Sequence, residues 1–433
     1  MFTFPAPLAD TVMALRSGQE DLLEYIDAMC DRIDALDPEV QALLPEPGRR
    51  ERLLRAAAEL QARFPDLAHR PPLYGLLVGV KDVFHVDGFP TLAGTQLPPG
   101  LFAGSEAACV TALRQAGALI LGKTVTTEFA YYEPGPTRNP HALDHTPGGS
   151  SSGSAAAVAA GLCPLALGTQ TVGSVIRPSA FCGIVGFKPS YGRISTDGSV
   201  PFAISADHVG LMTQDAAGML LAAAQLCREW QSSDQGAHAA GKPVLGIPEG
   251  PYLDQAAPET LSALATQVRL LEKAGYTVRH VHVFADITMI AQRHEAMIAA
   301  EMAAVHQTWF DRYADQYRPR TAALIRQGQA VSEEDLTTAR AGRSALREAL
   351  AELMTRAGID LWIGPAAVGT APAGLDVTGD PAMNLPWTHA GLPTVTLPAG
   401  PAADGLPLGL QCVAPFMADE RLLAWAVALE RIL

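Results

Sequence analysis

Charged residues are scarce in this 433-residue chain, 18% of the total, and aromatic residues are scarcer at 6%. With 48% hydrophobic residues, so little charge excludes a globally disordered chain and leaves enough apolar mass for a large core. Basic clusters are missing: the formal net charge is −14 and no run is rich in lysine or arginine. A polyanion would be repelled, so neither nucleic acid nor an anionic membrane is expected as a partner. No apolar run is long enough to span a bilayer. The opening stretch "MFTFPAPLADTVMALRSGQEDLLEY" turns acidic too early for a secretory signal, so a cytoplasmic protein is expected. Cysteines are few and lack paired spacing: Cys30, Cys109, Cys163, Cys182, Cys227 and Cys412 read as small core residues in a reducing compartment.

What is present is an alternation of strand and helix patterns. "SGQEDLLEYIDAMCDRIDALDP" begins with a potential capping box, Ser17 with Glu20, before Leu22, Leu23, Ile26, Met29, Ile33 and Leu36 recur at helical spacing. A second helix is predicted over 51–63. "LYGLLVGVKDVFHVDG" starts the strands, "EAACVTALRQAG" reads as a helix, and "ALILGKT" and "CPLALGTQT" read as strands around a helix at 153–160. Residues 252–356 are mostly helical and more charged, interrupted by the strand "YTVRHVHVF". Short strands return in "DLWIGPA", "PTVTLPAG" and "PLGLQCVA", and "DERLLAWAVALERIL" closes as a helix with Asp419 at its start. The expected architecture is a single α/β domain over 1–433, a mixed central β-sheet flanked by helices on both faces, with a helical excursion. Its expected parts are an N-terminal helical segment (1–70), a core (71–250), a helical layer or cap (252–356) and a C-terminal part of the core (357–433).

Three patterns carry candidate chemistry. "GALILGKT", Gly117 to Thr124, matches the phosphate-loop pattern, which would make the chain a nucleotide-binding protein. That loop must curl its N–H groups around phosphates between a strand and a following helix. Here the variable positions are Ala, Leu, Ile and Leu, a helix comes first, and the stretch reads as a buried strand matching by chance. His280 and His282 share one face of a strand, as metal ligands can, but two are too few and no metal is expected. The third pattern is "TPGGSSSGSAAAVAAG", which alone reads as a loop capping a helix. It gains weight from a second turn, "GTQTVGS", and from Lys81 inside the apolar run "GVKDVF". A lysine in such a run should be neutral or paired, and a neutral lysine beside a serine is a base for a serine nucleophile.

The ordered set "YGLLVGVKDVF", "LGKTVTTEFA", "TRNP", "TPGGSSSGSAAAVAAG", "LGTQTVGSVIRPSAFCGIVGFKPSYGRIS", "NLPWTHAGLPTVTLPAG" and "GLPLGLQ" resembles the amidase signature family. The likeness runs from about Leu73 to Ala217 and resumes near Asp360, roughly half the chain. It implies a serine amidohydrolase without cofactor that cleaves amide C–N bonds and releases ammonia. By resemblance Ser174 is the nucleophile, Ser150, after a cis peptide bond to Gly149, the proton relay, and Lys81 the base. The N–H groups of Thr171, Val172, Gly173 and Ser174 would form the oxyanion hole. The chain departs from the family's usual "GTDTGGS" at Gln170 and Val172, and a positive φ at Val172 would strain a β-branched residue.

The arginine of "SVIRP", Arg177, makes the sequence similar to the malonamidase and carboxybiuret-hydrolase branch, where an arginine here binds a substrate carboxylate. A salt bridge within the protein is the alternative for Arg177. Thr169, Ser151 and Gln170 are candidate polar contacts, and Tyr131, Tyr132, Trp387 and His389 candidate lining residues. Cys182 in "SAFCG" has no base nearby and reads as core. The leading expectation is a stand-alone amidase acting on a small carboxylate-bearing amide or urea, with a homodimer as a candidate assembly. The rival with the same chemistry is the glutaminase component of a tRNA-dependent amidotransferase. Val172, the "SVIRP" order and the lack of a basic patch speak against the rival.

Overall fold

A computed structural model describes residues 2–231 and 241–433; positions 232–240 of the expected 71–250 core lie outside the described residues. Among the described residues ten strands form one sheet: β1 (Leu77–Lys81), β2 (Leu119–Thr124), β3 (Leu165–Gln170), β4 (Val185–Lys188), β5 (His208–Thr213), β6 (Leu245–Glu249), β7 (Val278–His282), β8 (Leu361–Pro365), β9 (Thr394–Pro401) and β10 (Pro407–Val413). Their order is β2-β1-β3-β5-β4-β9-β10-β8-β6-β7. Both ends are parallel, β2-β1-β3 and β8-β6-β7, and the strands between them pair antiparallel.

The side-chain alternation of the strands shows why both faces are covered. Val78 and Val80 of β1, Ile120 of β2 and Leu165 and Leu167 of β3 enter one core, with the helices 108–115, 216–226 and 419–430. Their neighbours Leu77, Leu119, Leu121 and Ala166 enter a second core, with the helices 22–40, 49–63 and 152–159. Parallel strands buried on two sides carry the near-continuous apolar runs seen here. The alanine-rich helix Ser152–Ala159 is buried along its whole length. Its small residues allow close approach: a Cβ on Gly153 would lie 2.3 Å from Ala42 O and Val125 N.

The expected single-domain α/β fold, with its mixed sheet between helical layers, is thus the fold observed. Residues 252–356 carry the helices 258–273, 287–313, 319–329 and 333–357. Two local expectations fail. A helix at Leu8–Ser17, not anticipated, ends at Ser17 with Gly18 left-handed at φ 74°. Ser17 therefore caps nothing downstream. The cap of the 22–40 helix is Asp21, whose carboxylate accepts from Leu23 N and Glu24 N. A carboxylate adjacent to the first turn outcompetes a hydroxyl already used on Ala14 O.

Candidate functional site

Lys81 ends β1, and β3 lies beside it in parallel register, Val80 opposite Leu167. The Lys81 side chain is fully buried. Its Nζ donates to Ser150 Oγ at 2.8 Å and to Thr169 Oγ1 at 2.7 Å. Burial pulls its pKa down to about 7, opposed by the carboxylate of Asp207. The peptide bond between Gly149 and Ser150 is cis. Ser150 and Ser174 line the same narrow cleft with Tyr131, Tyr132, Arg177 and Thr378. No hydrogen bond joins Ser150 Oγ to Ser174 Oγ among the described residues. The Ser174 hydroxyl has no protein hydrogen-bond partner among the described residues.

Beyond β3 the chain turns through residues 171–174. The first N–H groups after this turn, Val175 and Ile176, both donate to Gln170 Oε1 at 2.8 and 2.9 Å. The N–H groups of Thr171, Val172, Gly173 and Ser174 donate to no acceptor among the described residues. Four consecutive unspent donors beside a free serine hydroxyl are the ingredients of an anion-binding concavity. Val172 does not have positive φ, so its β-branch is compatible with the turn and the anticipated strain is absent. Gly173 is required for a different reason: a Cβ there would lie 2.5 Å from Asn384 Oδ1 and 3.0 Å from Arg177 Nη1.

Arg177, 2% exposed, makes no salt bridge within 4.0 Å among the described residues. Its Nε donates to Thr378 O at 2.8 Å and its Nη2 to Gly149 O at 2.7 Å, while Nη1 is buried without a hydrogen-bond acceptor; the Tyr132 phenol and the more distant Asp380 carboxylate also act on the guanidinium. The internal salt bridge weighed for it is absent. Of the other anticipated contacts, Tyr131 and Tyr132 line the cleft. Thr169 is engaged by Lys81, and Ser151 Oγ is tied to the backbone N–H and C=O of Thr169. Gln170 is committed at both ends, its Nε2 donating to Thr388 Oγ1 at 2.9 Å. His389 sits behind the turn against His294, and Trp387 Nε1 donates to Tyr252 in a separate aromatic core. These four polar residues and Trp387 are therefore occupied by the protein itself.

Sequence reasoning missed Asp207, which accepts from Thr171 Oγ1 at 2.6 Å and from Phe202 N and Ala203 N. It also missed Thr378 and Phe202 as lining residues. The rival patterns do not assemble. Gly117–Thr124 is mostly strand β2, with Lys123 buried and paired with Asp82 at 2.5 Å, so nothing curls around a phosphate. His280 and His282 are exposed on β7 and share Glu249. Cys182 is buried, its thiol pushed up by desolvation and donating to Pro147 O.

An amidase family model matches residues 24–423. The A-type component of glutamyl-tRNA(Gln) amidotransferase from Roseiflexus castenholzii is 31% identical over 96% of this chain and 94% of its own. A solved amidase is 31% identical, covers 98% of this chain and 99% of that one, and superposes with a TM-score of 0.89. A chain from a vestigial complex, described with the origins of an s-triazine catabolic enzyme, is 27% identical over 98% of both chains with a TM-score of 0.87. These relatives correct the expected partners. A protein named as one component of a multi-chain enzyme acting on a tRNA-borne residue overturns the expectation of small-molecule partners only, with nucleic acid excluded. Net charge misled because it sums a whole surface, whereas docking depends on one patch or on another chain. Among the described residues no helix is long and apolar enough to cross a membrane.

Proposed function

The chain belongs to the amidase family, and from that premise we propose that it cleaves the C–N bond of a small carboxylate-bearing amide as the ammonia-producing component of an amidotransferase-type assembly. The observation that carries the chemistry is the buried Lys81 ammonium-or-amine, 2.8 Å from Ser150 Oγ, in the cleft that Ser174 lines. Neutral Lys81 takes the Ser174 proton through Ser150, and Ser174 Oγ bonds to the amide carbon. The N–H groups of residues 171–174 receive the oxyanion. The same proton returns to the leaving nitrogen, ammonia departs, and water later cleaves the Ser174 ester.

Substrate class follows from Arg177. A buried guanidinium with no carboxylate within 4.0 Å, its charge met only by the more distant Asp380 and the Tyr132 phenol, supports a bound carboxylate as its nearer counter-ion. Glutamine and malonamate both satisfy this. The relatives favour the amidotransferase role over the malonamidase and carboxybiuret-hydrolase branch and over a free-standing enzyme, and the backbone at Val172 removes one objection to it.

The test is ammonia release from glutamine, malonamate, carboxybiuret-like ureas and neutral aliphatic amides. It is run on the chain alone and on the chain with its co-purifying partners. Ser174→Ala should abolish turnover with the melting temperature retained; full activity overturns the nucleophile. Glutamine turnover that needs a second protein chain supports the assembly, and equal turnover by the chain alone overturns it.

A further inference from the structure

The turn at residues 171–174 leaves its N–H groups unspent, but the carbonyls of its first three residues are held. Gly173 O accepts from Arg177 N at 3.0 Å, and Val172 O accepts from Thr388 Oγ1 at 2.6 Å. Thr171 O accepts from His294 Nε2 at 3.0 Å. A peptide unit is planar, so fixing a carbonyl fixes the N–H on its other side. The Thr171 carbonyl shares its plane with the Val172 N–H, and the Val172 carbonyl with the Gly173 N–H.

His294 lies on the 287–313 helix, in the helical excursion, and is 1% exposed. The tautomers follow from the partners. A carbonyl only accepts, so His294 Nε2 carries the proton and its Nδ1 is a bare lone pair. His389 Nδ1, 3.2 Å away, then donates to that lone pair, leaving its own Nε2 unprotonated. That nitrogen indeed has no partner, which an N–H at a buried position would require. Burial holds both rings neutral, His294 down to about 4 and His389 to about 2. Arg343 Nε donates to the His389 carbonyl at 3.1 Å and fixes the second ring's backbone. Thr388 and His389, adjacent in the chain, thus act on two successive peptide units of the turn, His389 through His294.

We propose that His294, oriented by His389, is a positioning residue that aims the Val172 N–H at the developing oxyanion. This rests on the reading of residues 171–174 as the oxyanion site. An apolar side chain at 294 would fill the space but leave the Thr171 carbonyl free to rotate its peptide unit away.

The test uses a fluorophosphonate probe, which needs no known substrate. Ser174 Oγ bonds to phosphorus, fluoride leaves, the serine proton passes to Lys81, and the phosphoryl oxygen occupies the turn. His294→Leu should slow the limiting labelling rate roughly ten- to a hundredfold. That is less than the hundred- to thousandfold of a donor removed outright. Half-saturation should stay within about twofold, since probe binding does not need the aimed N–H. His294→Gln, whose Nε2 can donate to the same carbonyl, should recover most of the rate; His389→Leu should fall between. Equal rates in His294→Leu and the parent overturn the proposal, as does equal loss in the Leu and Gln variants. Should His294→Leu not fold, parent-like labelling in His389→Leu overturns it. Labelling of Ser174→Ala at this site overturns the parent reading instead, whereas an unlabelled Ser174→Ala beside a fast His294→Leu removes only the positioning role.

Discussion

The pH dependence of Ser174 reactivity tests the electrostatics of the site most directly. Lys81 must be neutral to accept a proton. At the ordinary lysine value of 10.5 roughly one molecule in three thousand is neutral at pH 7, whereas at about 7 the fraction is about one half. Because burial lowers the value and the neutral form is active, the rate should rise with pH, roughly tenfold per unit below 7, and level above it. At pH 5 it should be about fiftyfold below the value at pH 7. Asp207 supplies the internal control. Its carboxylate raises Lys81, so Asp207→Asn should move the rising limb to lower pH while the amide still bridges Thr171, Phe202 and Ala203. Asp207 is itself pushed up to about 6 by burial, so its own titration could produce a limb nearby. A limb that vanishes in Asp207→Asn would belong to Asp207. A flat profile from pH 5 to 8, or a limb above pH 9, would refute the neutral-lysine mechanism. The assay is the fluorophosphonate labelling rate across buffers of constant ionic strength.

Two further outcomes follow from buried charge. Arg177→Gln should raise KM for malonamate or glutamine by about ten- to a hundredfold, the worth of a charged hydrogen bond, and leave KM for neutral amides nearly unchanged, while loss of its bond to Gly149 O beside Ser150 lowers kcat for both classes; equal rises in KM for both classes remove the anchoring role. Lys123→Ala leaves Asp82 buried without its partner and should destabilise the fold by about 3–5 kcal/mol in denaturant titration. It should confer no loss of ATP protection, and ATP protection of the parent that disappears in the variant would restore the phosphate-loop reading.

Legibility in the sequence followed the range of the signal. Strand β2 was readable because Leu119, Ile120 and Leu121 form an unbroken apolar run, and the same run argued against a phosphate loop. The closing helix announced itself through Asp419 and a periodic apolar face. The helix at Leu8–Ser17 was missed because its N-cap, Pro7, carries no capping side chain and the carboxylate that accepts from Leu8 N is Asp215, 207 positions away. Lys81, Ser150 and Ser174 were readable only as a family pattern, since nothing local places a lysine against a serine 69 positions away. Polar residues whose partners are remote were either assigned to substrate, as Gln170 was, or not singled out, as His294 was not. Gln170 meets Thr388 across 218 positions, and His294 meets Thr171 across 123. Such bonds leave no periodicity, so burial and pairing had to be seen.

One departure from the usual family turn, Gln170, is accounted for by its partners. Gln170 differs from an aspartate by offering a donor as well as an acceptor. Its Oε1 takes up the Val175 and Ile176 N–H groups that follow the turn, and its Nε2 binds Thr388 Oγ1. Thr388 then spends its own proton on Val172 O at 2.6 Å. An aspartate at 170 could accept from the two N–H groups but would meet Thr388 as a second acceptor, turning the hydroxyl proton away from Val172. Gln170 and Thr388 therefore act together on the Val172 carbonyl. The side chain at 170 acts on the 171–174 turn through its backbone, which is why a residue expected to touch substrate is found engaged behind it.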